Sequence, residues 1–199
     1  MTTFTEHVYD TSIKRCLEGY NQEIEDWSNQ QWFNALGGEI GEFTNVVKKI
    51  NRHVNGYAGN DEGSGMALYT DMLKKEAADI YLYLVLCQAS MLTTGGAIFT
   101  NKSSINLDVL SGDGIYDDMP HNLFSLEQQA SELQILNGKI LELILNGLHL
   151  RHADLIWQNI QGITISLLKI ASISRFDIKE ASIAKFNATS AKINCDITL

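Results

Sequence analysis

Asp79 opens a run, residues 80–87, that is almost wholly apolar, and a helix through such a run must be covered on most of its sides. A carboxylate at the edge of that helix cannot be left bare, because an ionised group taken out of water needs a partner or a metal. Glu76 stands three residues earlier, and residues at i and i+3 share one helix face. The arrangement recurs in residues 38–42, where Glu39 and Glu42 are again three apart, among Leu36, Ile40, Phe43, Val46 and Val47. Each stretch therefore projects two carboxylates in one direction. If those faces pack together, oxygen ligands converge, and the cluster repels itself unless a hard cation sits in it. Mg²⁺ suits an all-carboxylate site completed by water, and Mn²⁺ can substitute. Two structural readings stand beside the metal. Acid pairs at this spacing occur on solvated helix faces. Alternatively, Lys48, Lys49, Lys74 and Lys75 neutralise the acids, although they fall mostly on other faces of their helices.

The chain of 199 residues is long enough to bury a core and fits one domain. Its formal net charge of −9 argues against a nucleic-acid binder that relies on phosphate neutralisation. A nucleotide substrate stays open, because a metal supplies the missing positive charge. No apolar run reaches the length of a membrane span, and the first ten residues lack the basic and apolar regions of a signal peptide. Cys16, Cys87 and Cys195 are far apart and form no zinc-type spacing, which points to a reducing cytoplasm.

The pattern reads mainly helical. Residues 12–27 carry Ile13, Leu17, Tyr20 and Ile24 as an apolar stripe. Residues 32–53 and 66–91 form the two acid-bearing helices, with a glycine-rich loop at 56–65 between them. Residues 93–122 break the pattern with Gly95, Gly96, Gly112, Gly114 and Pro120, and read as a mobile loop or a short hairpin; the only strand candidate is 97–116. Helices are expected again at 124–146, 152–174 and 176–192.

At this point a resemblance can be stated. ALGGEIGEFTNVVKKINR (residues 35–52) followed by LKKEAADIYLYLVL (residues 73–86) resembles the MazG-like, all-α nucleoside triphosphate pyrophosphohydrolases, which include the dCTP pyrophosphatases and the dimeric dUTPases. The hallmark of that superfamily is Glu-x-x-Glu on one helix and Glu-x-x-Asp on the next, and Glu39, Glu42, Glu76 and Asp79 match it residue by residue. The closing KFNATSAKINCDITL (residues 185–199) is similar to the tail of compact phage-type members. The chain departs from the pattern at Gly38, where relatives often carry a second acid, and at Leu73, where a lysine is common. A larger departure is the added length at about 92–174, within a single domain spanning 1–199. That insert is either a degenerate second helix pair, hinted at by Ala78-Asp79-Ile80 against Ala153-Asp154-Leu155, or an added helical hairpin, which is the preferred reading. Its acids Glu127, Glu132, Glu142 and Asp154 do not reproduce the paired pattern.

The resemblance implies an all-α bundle of five or six helices, assembled as a homodimer or homotetramer. It also implies hydrolysis of a (deoxy)nucleoside triphosphate at the α-phosphate to monophosphate and pyrophosphate. Glu39, Glu42, Glu76 and Asp79 would hold Mg²⁺ or Mn²⁺, and Glu39 or Glu42 would accept the water's proton. Lys185, Asn187 and Lys192, in the matched tail, are candidates for the phosphates, with Lys49 and Arg52 as further cations; the latter two also read as a solvated helix end. Trp27 and Trp32 are candidates for stacking the base, or core residues. Tyr83 shares the face of Asp79, within reach of sugar or phosphate, or caps the core. The base is left open among dGTP, dCTP and dUTP, and a phage nucleotide-pool role fits the tail. Two other classes remain: an inactive metal-binding interaction module, and a helical bundle whose acids are only solvated.

Overall fold

The computed structural model describes residues 3–59, 65–95 and 123–199. Among these residues there are six α-helices and no strand. Helix α1 (Phe4–Tyr20) begins at a capping box in which Thr3 Oγ1 accepts from the Glu6 amide and the Glu6 carboxylate accepts from the Thr3 amide. It stops at Asn21, whose left-handed backbone (φ 50°, ψ 43°) caps the last turn.

The expected helix at 12–27 is thus displaced, and so is its buried face. Leu17 and Tyr20 are 51% and 47% exposed. Val8, Ser12, Arg15 and Cys16 face inward instead. Ile24 belongs to a separate 3₁₀ turn (Ile24–Asp26) that carries the chain back toward α2 (Asn29–Val54). Ser28 caps α2 together with Gln31, so that helix starts almost a turn before the expected Trp32.

Helix α3 (Met66–Gly95) runs antiparallel to α2. Asn29 at the start of α2 donates to Thr94 Oγ1 at 2.9 Å and accepts from Ser90 Oγ at 2.6 Å, near the end of α3. Helix α3 continues four residues past the expected Met91. It is the central element, touched by α1, the 3₁₀ turn, α2, α5 (Ala153–Ser174) and α6 (Ile178–Lys192). That position explains its composition, since Ala77, Ala78, Ile80, Tyr81, Leu84, Val85 and Cys87 are all buried and near its middle only the edge with Glu76, Asp79 and Tyr83 stays partly open. By length and composition α3 is long and apolar enough to cross a membrane, contrary to the sequence-based reading, but 72% of its most apolar window is buried inside the bundle.

Helix α4 (Leu123–Leu145) lies antiparallel along the outer side of α2. Asn137 Nδ2 donates to the Phe33 carbonyl at 3.3 Å, Gln134 Nε2 to Thr44 Oγ1 at 3.0 Å, and Asn51 Nδ2 to Glu127 at 2.5 Å. Helix α5 packs on α4 and α3, and Gly162 makes the close approach possible, because a Cβ there would meet Leu136 at 2.9 Å. Residues 123–174 therefore contribute two helices to the common core, with Leu133, Ile140, Ile156, Ile160, Ile163 and Leu167 fully buried. Helix α6 is capped by Asp177 and packs on α3. The chain end folds back on it, where the Asn187 amide group bonds both backbone groups of Leu199. The expectations for 97–116, for most of 93–122 and for half of 56–65 lie outside the described residues; Thr93 to Gly95 complete α3, and Gly56 and Gly59 turn with positive φ.

Candidate functional site

Antiparallel packing turns equal spacing into convergence. When α2 and α3 run in opposite directions, the residue three after Glu39 meets the residue three before Asp79. Glu39, Glu42 and Glu76 each bring a carboxylate oxygen within 4.8 Å of the other two. Among the described residues none of the three is in an ion pair. Asp79 stands beside them but is held differently: its carboxylate, 15% exposed, accepts from Lys185 Nζ of α6 at 2.5 Å.

The electrostatics record the crowding. Burial, and then the charges of Asp79, Glu42 and Glu76, push the Glu39 carboxyl up to about 7. Burial raises Glu76 as well, helped by Asp79 and Glu42. Asp79 is also raised, burial outweighing the hydrogen bond and charge of Lys185. Lys185 is raised because its bond to Asp79 and the surrounding acids outweigh burial. This donor set fits a hard divalent cation, being all oxygen, preformed on two helices and electrostatically frustrated without one. Oxygens on opposite sides of one Mg²⁺ are about 4.2 Å apart, so the trio needs little contraction.

A pH dependence follows. Glu39 in the folded chain keeps a proton that the unfolded chain releases, so its contribution to stability is fully present below about 4.5 and is lost as pH rises through about 7. Glu76 and Asp79 are shifted in the same direction. In chelator, the thermal midpoint is therefore expected to fall between about pH 5 and about pH 8, and Mg²⁺ is expected to restore it most at the alkaline end. A midpoint in chelator that rises over that range, or that Mg²⁺ does not move, would count against the cluster as a cation site.

Glu39, Glu42 and Asp79 line a cavity of about 500 Å³, within the size range of small-molecule sites. Trp27 and Trp32 form an aromatic wall, with ring centroids 4.7 Å apart and planes tilted by 53°. Trp32 is buried and its Nε1 donates to the Ile24 carbonyl at 2.9 Å, while Trp27 stays partly open. Leu82, Tyr83 and Leu86 line the cavity from α3, and Lys185 and Thr189 from α6. Burial, followed by the charge of Glu39, pushes the Tyr83 hydroxyl up to about 12, so it acts as a neutral hydrogen-bonding group. Cys16 also lines the cavity, but burial pushes its thiol up to about 11 and removes thiolate chemistry near neutral pH.

Of the candidates read from the sequence, Glu39, Glu42, Glu76, Asp79, Trp27, Trp32, Tyr83 and Lys185 come together. Lys49, Arg52, Asn187 and Lys192 do not line this cavity. Arg52 lies roughly 15 Å beyond Glu42 along α2 and reaches toward the Gly59 carbonyl at 3.4 Å. Asn187, two residues after Lys185, projects from another side of α6 and ties down the chain end. Lys192 is exposed in the last turn of α6, where a cation favours the helix terminus. The lining residues that were not anticipated include Arg15, Gln22 and Thr189. Arg15 had a signal available, a charge occupying a core position of α1's inward stripe. No family model matches the chain, and neither a curated protein nor a solved structure matches it.

Proposed function

We propose that this chain is a divalent-cation-dependent nucleoside triphosphate pyrophosphohydrolase, acting as a homo-oligomer and converting a (deoxy)nucleoside triphosphate to its monophosphate and pyrophosphate. One observation carries the reading: three glutamates from two antiparallel helices converge, next to Asp79, on the edge of a nucleotide-sized cavity with an aromatic wall. The likeness of residues 35–52 and 73–86 to MazG-like motifs supports it. Glu39, Glu42 and Glu76, with Asp79 beside them, would hold Mg²⁺ or Mn²⁺. Such a cation neutralises phosphate charge and lowers the pKa of a water to within reach of a carboxylate base.

The chain's own residues do the rest. Trp27, the open member of the pair, offers its face to the base, and Trp32 backs it. Lys185, oriented by Asp79, presents its ammonium to phosphoryl oxygens inside the cavity. Glu39 or Glu42 takes the proton from the attacking water as the oxygen bonds to the α-phosphorus. The bond from that phosphorus to its bridging oxygen breaks, and pyrophosphate departs.

The test is pyrophosphate release from a panel of ribo- and deoxynucleoside triphosphates with Mg²⁺ or Mn²⁺, with Glu42→Gln and Asp79→Asn as controls. Monophosphate plus pyrophosphate, formed only with cation and lost in both variants, is the expected result, and the panel names the base. A folded chain that gains thermal stability from Mg²⁺ but turns over no triphosphate is instead a metal-binding interaction module. A chain insensitive to Mg²⁺ in both assays is a bundle whose acids are merely solvated. Light scattering of the active protein tests the assembly, which a strictly monomeric active species removes.

A further inference from the structure

Arg15 is not accounted for by the acid cluster or by the aromatic wall. It is 7% exposed on the inner side of α1, with its guanidinium carbon 3.5 Å from the centroid of the Phe186 ring and Nη1 donating to the Phe186 carbonyl at 2.9 Å. Those contacts orient the group without balancing its charge. Among the described residues no carboxylate is within ion-pair distance of Arg15. Its charge reaches Asp79, but that carboxylate is already bound to Lys185. A buried cation with no counter-charge is costly, and an anion bound beside it would supply the missing charge.

A second observation is independent of charge. Nε of Arg15 is buried with no acceptor, and so is Nε2 of Gln22, from the turn that follows α1. Both residues line the cavity that holds the glutamates. Two buried donors that find no protein acceptor, one of them charged, lack acceptor oxygens on a ligand. The guanidinium is planar and already stacked, which is the state in which arginine holds phosphoryl oxygens with least loss of freedom.

We infer that Arg15 and Gln22 form a phosphoryl subsite of this cavity, which receives the phosphate oxygens of the ligand that do not react. The inference rests on the pyrophosphohydrolase reading for its place in the reaction but not for the chemistry of the ligand. It divides the two cations by task. Lys185 is compensated by Asp79 at the acid side, whereas Arg15 is compensated only when the polyphosphate is bound. It also gives α1 a functional role, since this subsite comes from a helix outside the motif-bearing pair.

The experiment is calorimetric titration of inorganic tripolyphosphate, with Mg²⁺ present and sulfate as a control anion, into the wild-type chain, Arg15→Met, Arg15→Lys and Gln22→Met. Thermal unfolding of each variant is measured alongside. Arg15→Met is expected to weaken binding roughly ten- to a hundredfold, the range for a hydrogen bond to a charged group. Arg15→Lys restores part of the loss, because it keeps the charge but not the planar fork. Gln22→Met weakens binding less and leaves the unfolding midpoint in place. Should Arg15→Met fail to fold, Arg15→Lys and Gln22→Met decide. Tripolyphosphate affinity unchanged in the folded variants, or no wild-type binding above that of sulfate, overturns the inference. Turnover separates it from the wider reading. Arginine-dependent tripolyphosphate binding in a chain that hydrolyses no nucleotide keeps the subsite and removes the reaction. Turnover whose KM ignores Arg15 keeps the reaction and removes the subsite.

Discussion

Glu39→Gln is expected to lower cation-dependent turnover by roughly a thousandfold and, in the same protein, to make the cation-free fold more stable. The first effect follows from losing one charged oxygen of the donor set together with a candidate proton acceptor. Several kcal/mol of transition-state charge stabilisation, at about 1.4 kcal/mol per factor of ten, gives that order. The second follows from the crowding. Burial and three neighbouring acids push the Glu39 carboxyl up to about 7, so ionising it above that pH works against the fold. The neutral amide keeps the shape and removes the conflict. The gain should be present near pH 8 in chelator and should vanish near about pH 5, where the wild-type group is already protonated. Asp79→Asn should behave differently. It removes the ion partner that Lys185 has among the described residues, leaving a partly buried ammonium without its carboxylate, and no gain in stability is expected. The two variants compared by thermal unfolding and by pyrophosphate release separate site strain from general acidity. If Glu39→Gln lowers stability in chelator, or keeps turnover within about tenfold, the role given to the cluster is wrong.

The convergence of the acids was legible in the sequence, because each i,i+3 pair presents two carboxylates on one helix face and the two faces meet when the helices pack. The apolar flanks of Asp79 gave the same answer from packing, since α3 is buried around its middle and its acids emerge only along one edge. The later helices were also readable, because residues such as Leu133, Leu136, Ile140, Ile160, Ile163 and Leu167 repeat at helical spacing and are buried where that spacing places them. Helix α1 was misread for a physical reason. Its exposed face carries Leu17 and Tyr20, while its buried face carries Ser12, Arg15 and Cys16, so a search for apolar periodicity selects the wrong side. The capping box at Thr3 and Glu6 marked its true start, and the left-handed turn at Asn21 ended it before Ile24. With the face reversed, Arg15 moves from an ordinary surface charge to a cavity wall. The phosphate candidates Asn187 and Lys192 lie off the cavity for another reason. Asn187, two residues after Lys185, falls on a different side of α6, and Lys192, seven residues on, shares the face of Lys185 but sits about 10 Å farther along the helix; the chain end that occupies Asn187 could not be foreseen from local pattern.

The two tryptophans should separate cleanly into one that holds the fold and one that holds the ligand. Trp32 is 2% exposed and its Nε1 donates to the Ile24 carbonyl, which ties the 3₁₀ turn to α2. Truncating a buried aromatic of this kind costs about 3–5 kcal/mol, so Trp32→Ala is expected to lose a large share of the stability of the domain. Trp32→Phe keeps much of the packing and loses the hydrogen bond, at about 1 kcal/mol. Trp27 is only partly buried, and its main described contact is the Trp32 ring at 4.7 Å. Trp27→Ala is therefore expected to change the unfolding midpoint little while weakening nucleotide affinity by about 1–3 kcal/mol, the usual worth of one base on an aromatic ring. Inorganic tripolyphosphate supplies the control, because it has no base. Trp27→Ala should leave its binding untouched, whereas Arg15→Met should weaken tripolyphosphate and nucleotide alike. If Trp27→Ala weakens both ligands equally, the tryptophan shapes the cavity as a whole and the base rests elsewhere. If it weakens only the nucleotide, the aromatic wall reads the base and the cation on α1 reads the phosphates.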